Sequence, residues 1–351
     1  MFYAGLEIVS FSLADASDTE YAALNRHYNR TKAETLPDDL PTPLAETVEQ
    51  LKNIPPFVGA FVWAGWNLDK TEIVASGNIS FSRTKIGRHV AQFDISVDLP
   101  YRRQGLGRAL LRQVVRTARA KNRRLLMTET NVRAPAGEAF MTRLGAEKGL
   151  EIHTDQLALS EIDCALIDRW YAEGAARAAG FTLGAWDGAC PDNQIEAVVK
   201  LMNVRTAVSR ETLTIEDKYF TAEQIRRQEH REALMGIQCW TVYATETATG
   251  RLAGYSEVTW VPDHPQIVLQ GGTAVFPEFR GLSLGRWLKA AMLARILENR
   301  PQAKFVRTDN VGSDAAMLGI NQALGFKPYF SNCLWHVAAG KAQAYLAEKH
   351  G

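Results

Sequence analysis

The chain has 351 residues, of which 23% are charged and 46% are hydrophobic, and its formal net charge is +1. This composition is typical of globular proteins, and the length predicts two domains. A nearly neutral chain argues against a nucleic acid or an anionic membrane as the main partner. The cysteines Cys164, Cys190, Cys239 and Cys333 are scattered singly, which predicts free thiols and no metal site.

The hydrophobic pattern contains no export or anchoring signal. The first 18 residues have no basic flank that leads into an apolar core, so they do not predict a secretory signal. No apolar run approaches the roughly 20 residues that a membrane-spanning helix needs. We therefore expect a cytoplasmic protein.

The first half of the chain alternates between strand and helix patterns in a definite order. The predicted elements are a strand at 6–12, helices at 21–32 and 45–52, strands at 57–66, 72–82 and 89–97, a helix at 107–120, a strand at 123–131, a helix at 136–144 and a closing strand at 149–159.

The second half repeats this order after a helical connector at 161–179. The predicted elements are a strand at 181–186, a helix at 193–203, strands at 238–245, 252–261 and 267–275, a helix at 285–298, a strand at 304–308, a helix at 315–324 and a last strand at 334–337. The shared order predicts a mixed α/β fold of two domains, 1–160 and 179–351, joined by residues 161–178.

One sequence pattern occurs twice, at residues 97–110 and 275–288, 178 positions apart. In each copy an apolar strand runs into a turn rich in Arg and Gly and then into a long helix. A repeat of this length indicates a duplicated domain. Successive backbone N–H groups at a helix N-terminus form a cradle for anions, so each copy predicts a phosphate site.

The alternative is a turn that only links strand to helix, with its arginines in solvent. Two other phosphate-binding motifs do not fit. The chain has no GxxxxGK followed by Ser or Thr, and the turns lack the GxGxxG spacing of a dinucleotide fold.

The turns resemble a known family. Arg102–Gly107 matches in full the Arg/Gln-x-x-Gly-x-Gly/Ala turn of the GNAT superfamily of N-acetyltransferases, and Arg280–Gly285 matches it with Ser283 at the middle Gly. Further resemblances are found at Thr308–Asn310, Asn321–Phe326, Glu129–Asn131 and Leu144–Ala146. The tandem arrangement is similar to that of mycothiol synthase and related actinobacterial acetyltransferases. It implies two GNAT-like domains, each a twisted mixed sheet flanked by helices.

The resemblance implies acetyl-CoA as acyl donor, with its pyrophosphate on the turn and its pantetheine arm between two splayed strands. In the first half the expected cofactor-binding residues are Ile95, Ser96, Val97, Arg102, Arg103, Gln104, Gly105, Leu106, Gly107, Arg108 and Asn131. In the second half they are Ala274, Val275, Phe276, Arg280, Gly281, Leu282, Ser283, Leu284, Gly285, Arg286 and Asn310.

The general acid is not where the family places it. Many members carry a Tyr three residues before the Leu of the Leu-Gly-Phe run, but that position holds Asn321 in the second half and Met141 in the first. Tyr329 is the candidate acid for the leaving thiolate, and a packed aromatic at the start of a strand is the alternative.

The general base, which deprotonates the attacking ammonium, is assigned to a strand carboxylate. Glu257 is the candidate, and His264 on the following loop is the alternative. In the first half Asp94 and Glu129 are the carboxylates in similar positions.

We expect the second half to be catalytic, because it carries the fuller downstream pattern, and the first half to be a non-catalytic copy. The predicted function is acetyl transfer from acetyl-CoA to a primary amine of a small molecule by direct attack, without a metal. The alternative is a non-catalytic acyl-CoA-binding or interaction protein that kept the duplicated fold. The expected assembly is a monomer or a homodimer.

Overall fold

The computed structural model describes residues 6–84, 87–208, 220–310 and 315–348. The chain forms two compact units. Unit 1 comprises Met1–Glu151 together with Phe330–Gly351, and unit 2 comprises Ile152–Tyr329. These bounds differ from the expected domains 1–160 and 179–351.

The elements of the first half lie close to the predicted positions. They are β1 Glu7–Phe11, α1 Asp18–Thr35, α2 Leu44–Lys52, β2 Val58–Trp66, β3 Ile73–Ser82, β4 Val90–Val97, α3 Leu106–Ala120, β5 Leu125–Asn131, α4 Pro135–Leu144 and β6 Glu147–Ala158. Gly145 ends α4 with a φ of +71°, the left-handed cap that its sequence position predicts.

The second half follows the same order and adds a final helix that the sequence pattern did not predict. Its elements are α5 Cys164–Arg177, β7 Phe181–Asp187, α6 Ile195–Val208, α7 Ala222–Leu234, β8 Gln238–Glu246, β9 Leu252–Trp260, β10 Ile267–Val275, α8 Leu284–Asn299, β11 Phe305–Asn310, α9 Ala315–Ala323, β12 Lys327–Ala338 and α10 Ala339–Ala347.

Each unit contains a mixed sheet of six strands in the described residues. The order is β1-β2-β3-β4-β5-β12 in unit 1 and β6-β11-β10-β9-β8-β7 in unit 2. The pairs β4–β5 and β10–β11 are parallel, and the other neighbours within each unit are antiparallel. Helices cover both faces of such sheets because each face carries apolar side chains.

The sixth strand of each sheet comes from the other half of the chain. β5 pairs with β12, from Asn131 opposite Asn332 to Leu125 opposite Ala338. β11 pairs with β6, from Phe305 opposite Ala158 onward. The strand expected to close the first half, β6, thus adds to the sheet of unit 2. This explains why the bounds of the two units differ from the expected domain bounds.

Helix α3 forms the core of unit 1 with the residues that its periodicity predicts. Leu110, Leu111 and Val114 are fully buried against the sheet. A Cβ at Gly77 of β3 would lie 3.2 Å from Leu110, so glycine lets the helix approach closely. Burying each leucine stabilises the fold by about 1.5–3 kcal/mol.

No helix in the described residues is long and apolar enough to cross a bilayer. In the same residues, no three or more His, Cys, Asp and Glu side chains form a group that could hold a metal ion. The four cysteines are free thiols, as predicted.

Candidate functional site

The parallel strands of unit 2 separate partway along their length. Their pairing ends at Gln270 opposite Thr308, and beyond it β10 keeps only β9 as a neighbour among the described strands. A β-bulge accompanies the separation, because Gly271 and Gly272 together oppose Glu257 of β9. The free edge of β10 therefore faces a gap, as the resemblance implies.

The turn after β10 has two residues in the left-handed region. Gly281 has a φ of +82° and Ser283 a φ of +63°. In unit 1 the corresponding residues are Arg103, with a φ of +64°, and Gly105, with a φ of +86°. Both copies thus adopt the same backbone, with glycine at one left-handed position and a longer residue at the other.

A cavity of about 380 Å³ lies where the free edge of β10 meets this turn and the start of α8, within the usual size range of small-molecule sites. Its lining residues are Val204, Thr273, Ala274, Val275, Phe279, Arg280, Gly281, Ser283, Leu284, Gly285, Arg286, Met317 and Ile320. The cavity brings together most of the cofactor-binding residues predicted in the second half. Phe276, Leu282 and Asn310 are not among the lining residues.

The first arginine of each turn has a different environment. Arg280 is exposed, and in the part of the chain that the structure describes its side chain donates only a long 3.4 Å bond to the Val275 carbonyl. Arg102 donates to the Val97 carbonyl at 2.8 Å and forms a two-pronged ion pair with Glu34. This pair raises the pKa of Arg102. The positive charge of Arg280 in unit 2 is thus available to an anion, whereas Glu34 neutralises that of Arg102 in unit 1.

Arg108 and Arg286, in the first turns of α3 and α8, also differ in their partners. Arg108 donates to the carbonyls of Tyr345, Leu346 and Glu348 at the end of α10. The guanidinium of Arg286 lies over the ring of Trp170, 5.2 Å from its centre. Arg108 thus caps a helix C-terminus, whereas Arg286 stays at the rim of the cavity.

Glu257 lies beside the bulge of β10. A Cβ placed on Gly271 would be 2.9 Å from its Oε1 atom, so the carboxylate sits directly against this glycine. The negative charge of Glu257 contributes to the raised pKa values of two thiols. The pKa of Cys190 is raised to about 11, mainly by burial and then by the carboxylates of Glu229 and Glu257. The pKa of Cys239 is raised mainly by burial and then by Glu257. Glu257 is not a lining residue of the cavity.

Tyr329 lies near β11 at the start of β12. The guanidinium of Arg307 covers its ring at 4.5 Å from the centre, and Arg307 also donates to Gln156 at 2.7 Å. Tyr329 does not line the cavity. Its role as an acid stays a prediction.

The position where the family often carries Tyr holds a buried amide. Asn321 is 1% exposed, and its Oδ1 accepts a 3.0 Å bond from the ammonium of Lys289 on α8, which is itself buried. Burial lowers the pKa of Lys289 to about 7. Asn310 lies beside this pair and donates to Asp155 at 2.8 Å, while burial raises the pKa of Asp155. Sequence reasoning missed Lys289, because a lone lysine in a helix normally reaches solvent.

In unit 1 the counterpart of Asn310 is Asn131, and its side chain already has hydrogen-bond partners within that unit. Asn131 donates to Asn332 at 2.8 Å and accepts from the backbone of Arg133, as a turn residue does. Asp94 is exposed on β4, and its charge adds to the effect of burial in raising the pKa of Tyr28 on α1. The parallel strands of unit 1 also separate, after Gln92 of β4, but without a bulge.

Splayed parallel strands beside a basic turn at a helix N-terminus form a site that suits a phosphate-bearing ligand. Residues 22–146 match the model of the Acetyltransferase (GNAT) family. The match lies in unit 1, the half that the sequence analysis expected to be non-catalytic. A search of curated protein sequences gave no significant match.

Solved structures extend the likeness to the whole chain. A tandem GNAT protein from the clavulanic acid biosynthesis pathway is 26% identical, with a TM-score of 0.72 over 95% of this chain and 99% of that chain. A GCN5-related N-acetyltransferase from Sphaerobacter thermophilus is 13% identical, with a TM-score of 0.63 over 95% and 96%, and shows the fold alone.

These findings confirm the predicted mixed α/β class with two tandem GNAT-like domains, and they support an N-acetyltransferase of the GNAT type.

Proposed function

We propose that the protein transfers an acetyl group from acetyl-CoA to a primary amine of a small molecule, and that unit 2 holds the acyl donor. The observation that carries this proposal is the cavity between β10 and α8, with the exposed guanidinium of Arg280 at its rim. Unit 1 has the same turn, but Glu34 already neutralises Arg102.

The donor would bind through three features of unit 2. The N–H groups of the turn and the positive end of α8 would face the pyrophosphate, with Arg280 and Arg286 beside it. The free edge of β10 at Ala274–Phe276 would pair with the pantetheine amides. A backbone N–H of this edge would polarise the thioester carbonyl and stabilise the oxyanion that forms during transfer.

The acceptor amine would attack from the face of the sheet that carries Glu257. Glu257 and Ala274 share this face, since Tyr255, two residues before Glu257 on the strand, packs with Ala274 in one apolar cluster. Glu257 would take the proton of the ammonium, and Tyr329 would return a proton to the thiolate. Neither residue lines the cavity, so the acceptor would carry its amine to them from outside it.

The experiment measures thiol release from acetyl-CoA with a panel of primary amines, together with calorimetry of acetyl-CoA binding. Turnover with any amine supports the enzyme. Binding without turnover supports the alternative of a non-catalytic acyl-CoA-binding protein, which the amide at Asn321 favours. Mass spectrometry of small molecules that co-purify with the protein addresses the acceptor.

Three finer points stay predictions. They are the resemblance to mycothiol synthase in particular, the cytoplasmic location and the monomeric or homodimeric state.

A further inference from the structure

Unit 1 contains a hydrogen-bonded cluster of Ser96, Ser76, His27 and Asp98, here called the His27 cluster. His27 on α1 lies with its Nδ1 2.8 Å from Oδ1 of Asp98 and its Nε2 2.8 Å from Oγ of Ser96. The hydroxyl of Ser76 is 3.1 Å from the same Nε2. Hydroxyl, imidazole and carboxylate in this order form the arrangement that activates a serine nucleophile.

Strand alternation places the cluster on one face of β4. Phe93, Ile95 and Val97 point into the core with α3, so Ser96 points to the opposite face, toward α1. Asp98 lies just past the end of β4 and reaches His27 on that face.

The carboxylate of Asp98 is fixed on both sides. Its Oδ2 accepts a 2.8 Å bond from Nε of Arg30, and Arg30 also donates to the carbonyl of Ile73. A carboxylate at Nδ1 favours the tautomer in which Nδ1 carries the proton and Nε2 accepts. Nε2 is then free to take the proton of a serine hydroxyl.

The duplication supplies an internal comparison. At the 178-residue offset Ser96 corresponds to Ala274 and Asp98 to Phe276, and strand register makes Ser76 correspond to Tyr255. These three residues of unit 2 pack together in an apolar cluster with α6. The fold accommodates apolar residues at these positions, so it does not require the polar groups of unit 1.

The two serines differ in access. Ser76 is 3% exposed, whereas Ser96 is half-buried and has the shorter contact with His27. Ser96 also lies on the part of β4 beyond Gln92, where pairing with β5 has ended. Ser96 is therefore the more accessible of the two hydroxyls, which lie 3.0 Å apart.

We propose that unit 1 carries a second catalytic centre, in which Ser96 is the nucleophile of an acyl ester or thioester hydrolase. His27 takes the proton of Ser96 as the Oγ–C bond forms at the acyl carbonyl, and it gives that proton to the departing thiolate or alkoxide as the C–S or C–O bond breaks. Water then attacks the acyl-serine, again with His27 as base. The carboxylic acid leaves, and Ser96 regains its proton.

The test uses the full chain and a fluorophosphonate probe, from which an activated serine displaces fluoride. We expect one adduct per chain by intact mass, located on the peptide that contains Ser96. Ser96→Ala should abolish it, and His27→Gln should slow it by about 10²-fold or more, since general base catalysis contributes this much. Ser10→Ala, at an exposed serine of β1, is the matched control and should keep the adduct.

Hydrolysis of p-nitrophenyl acetate gives a second readout. Its rate should fall in Ser96→Ala and in His27→Gln and not in Ser10→Ala. No adduct on the folded protein would overturn the proposal, as would equal labelling of the Ser96→Ala variant. Circular dichroism checks that each variant is folded.

Discussion

Arg280 and Arg102 occupy the same position in two copies of one turn, but replacement by alanine should weaken ligand binding at Arg280 and lower stability at Arg102. Arg280 is exposed at the rim of the cavity, so Arg280→Ala would remove charge-assisted bonds to phosphate. Such bonds contribute about 1.5–3 kcal/mol each. Since about 1.4 kcal/mol corresponds to tenfold, the Kd for acetyl-CoA should rise roughly 10- to 150-fold.

Arg102→Ala acts on stability instead. Its side chain is 20% exposed and its partner Glu34 is 29% exposed, so the pair is partly screened by solvent. Losing it should cost about 1 kcal/mol of unfolding free energy and leave acetyl-CoA binding within about twofold.

Calorimetry at two salt concentrations measures both variants, and thermal melts report the stability difference. The effect of Arg280→Ala should shrink at high salt, because exposed charges are screened. A third variant, Glu34→Gln, should free Arg102 and add a weak second binding event. Equal loss of affinity in the two alanine variants, or loss from Arg102→Ala alone, would refute the reasoning.

Three further predictions concern the site and its surroundings. Gly285→Val should obstruct the cavity and abolish acetyl-CoA binding by calorimetry, whereas its counterpart Gly107→Val should leave it intact; retained binding in Gly285→Val would place the donor elsewhere. Tyr329→Phe should lower kcat by about tenfold or more with KM within about twofold, and an unchanged kcat would exclude Tyr329 as the acid. Burial lowers the pKa of Lys289 from 10.5 to about 7. Between these two pH values the unfolded chain therefore binds a proton that the folded chain does not. The free energy of unfolding should rise with pH across this range, by up to about 5 kcal/mol. Lys289→Met should flatten that rise in denaturant titrations, and an unchanged slope would show that Lys289 is not its source.

Local patterns were enough to predict most elements and the doubled turn. Strand alternation located β2, β3 and β4 to within one residue, and the repeated pattern located both turns. Ser283, which departs from the family pattern, has the same left-handed conformation as Gly105. These features depend on residues that are neighbours in the sequence.

Partners that are distant in sequence could not be predicted in the same way. Glu34 neutralises Arg102 across 68 positions, and His27 meets Ser96 across 69. The residues next to Glu34 and His27 in the sequence do not indicate which distant side chain each will contact. The strands that close each sheet, β6 and β12, were predicted, but their partners were not, since an alternating pattern predicts a strand and not its neighbour.

β6 pairs with a strand from the second half of the chain and β12 with a strand from the first half. This arrangement has a consequence for folding during synthesis. Ribosomes add about 5–20 residues per second. About 180 residues separate the end of the first segment of unit 1 from its final segment at Phe330. For roughly 10–40 s of synthesis, β5 would therefore present an unpaired edge, a known hazard for association with other chains. A premature stop after residue 329 would leave the earliest part of the protein unfinished rather than the latest.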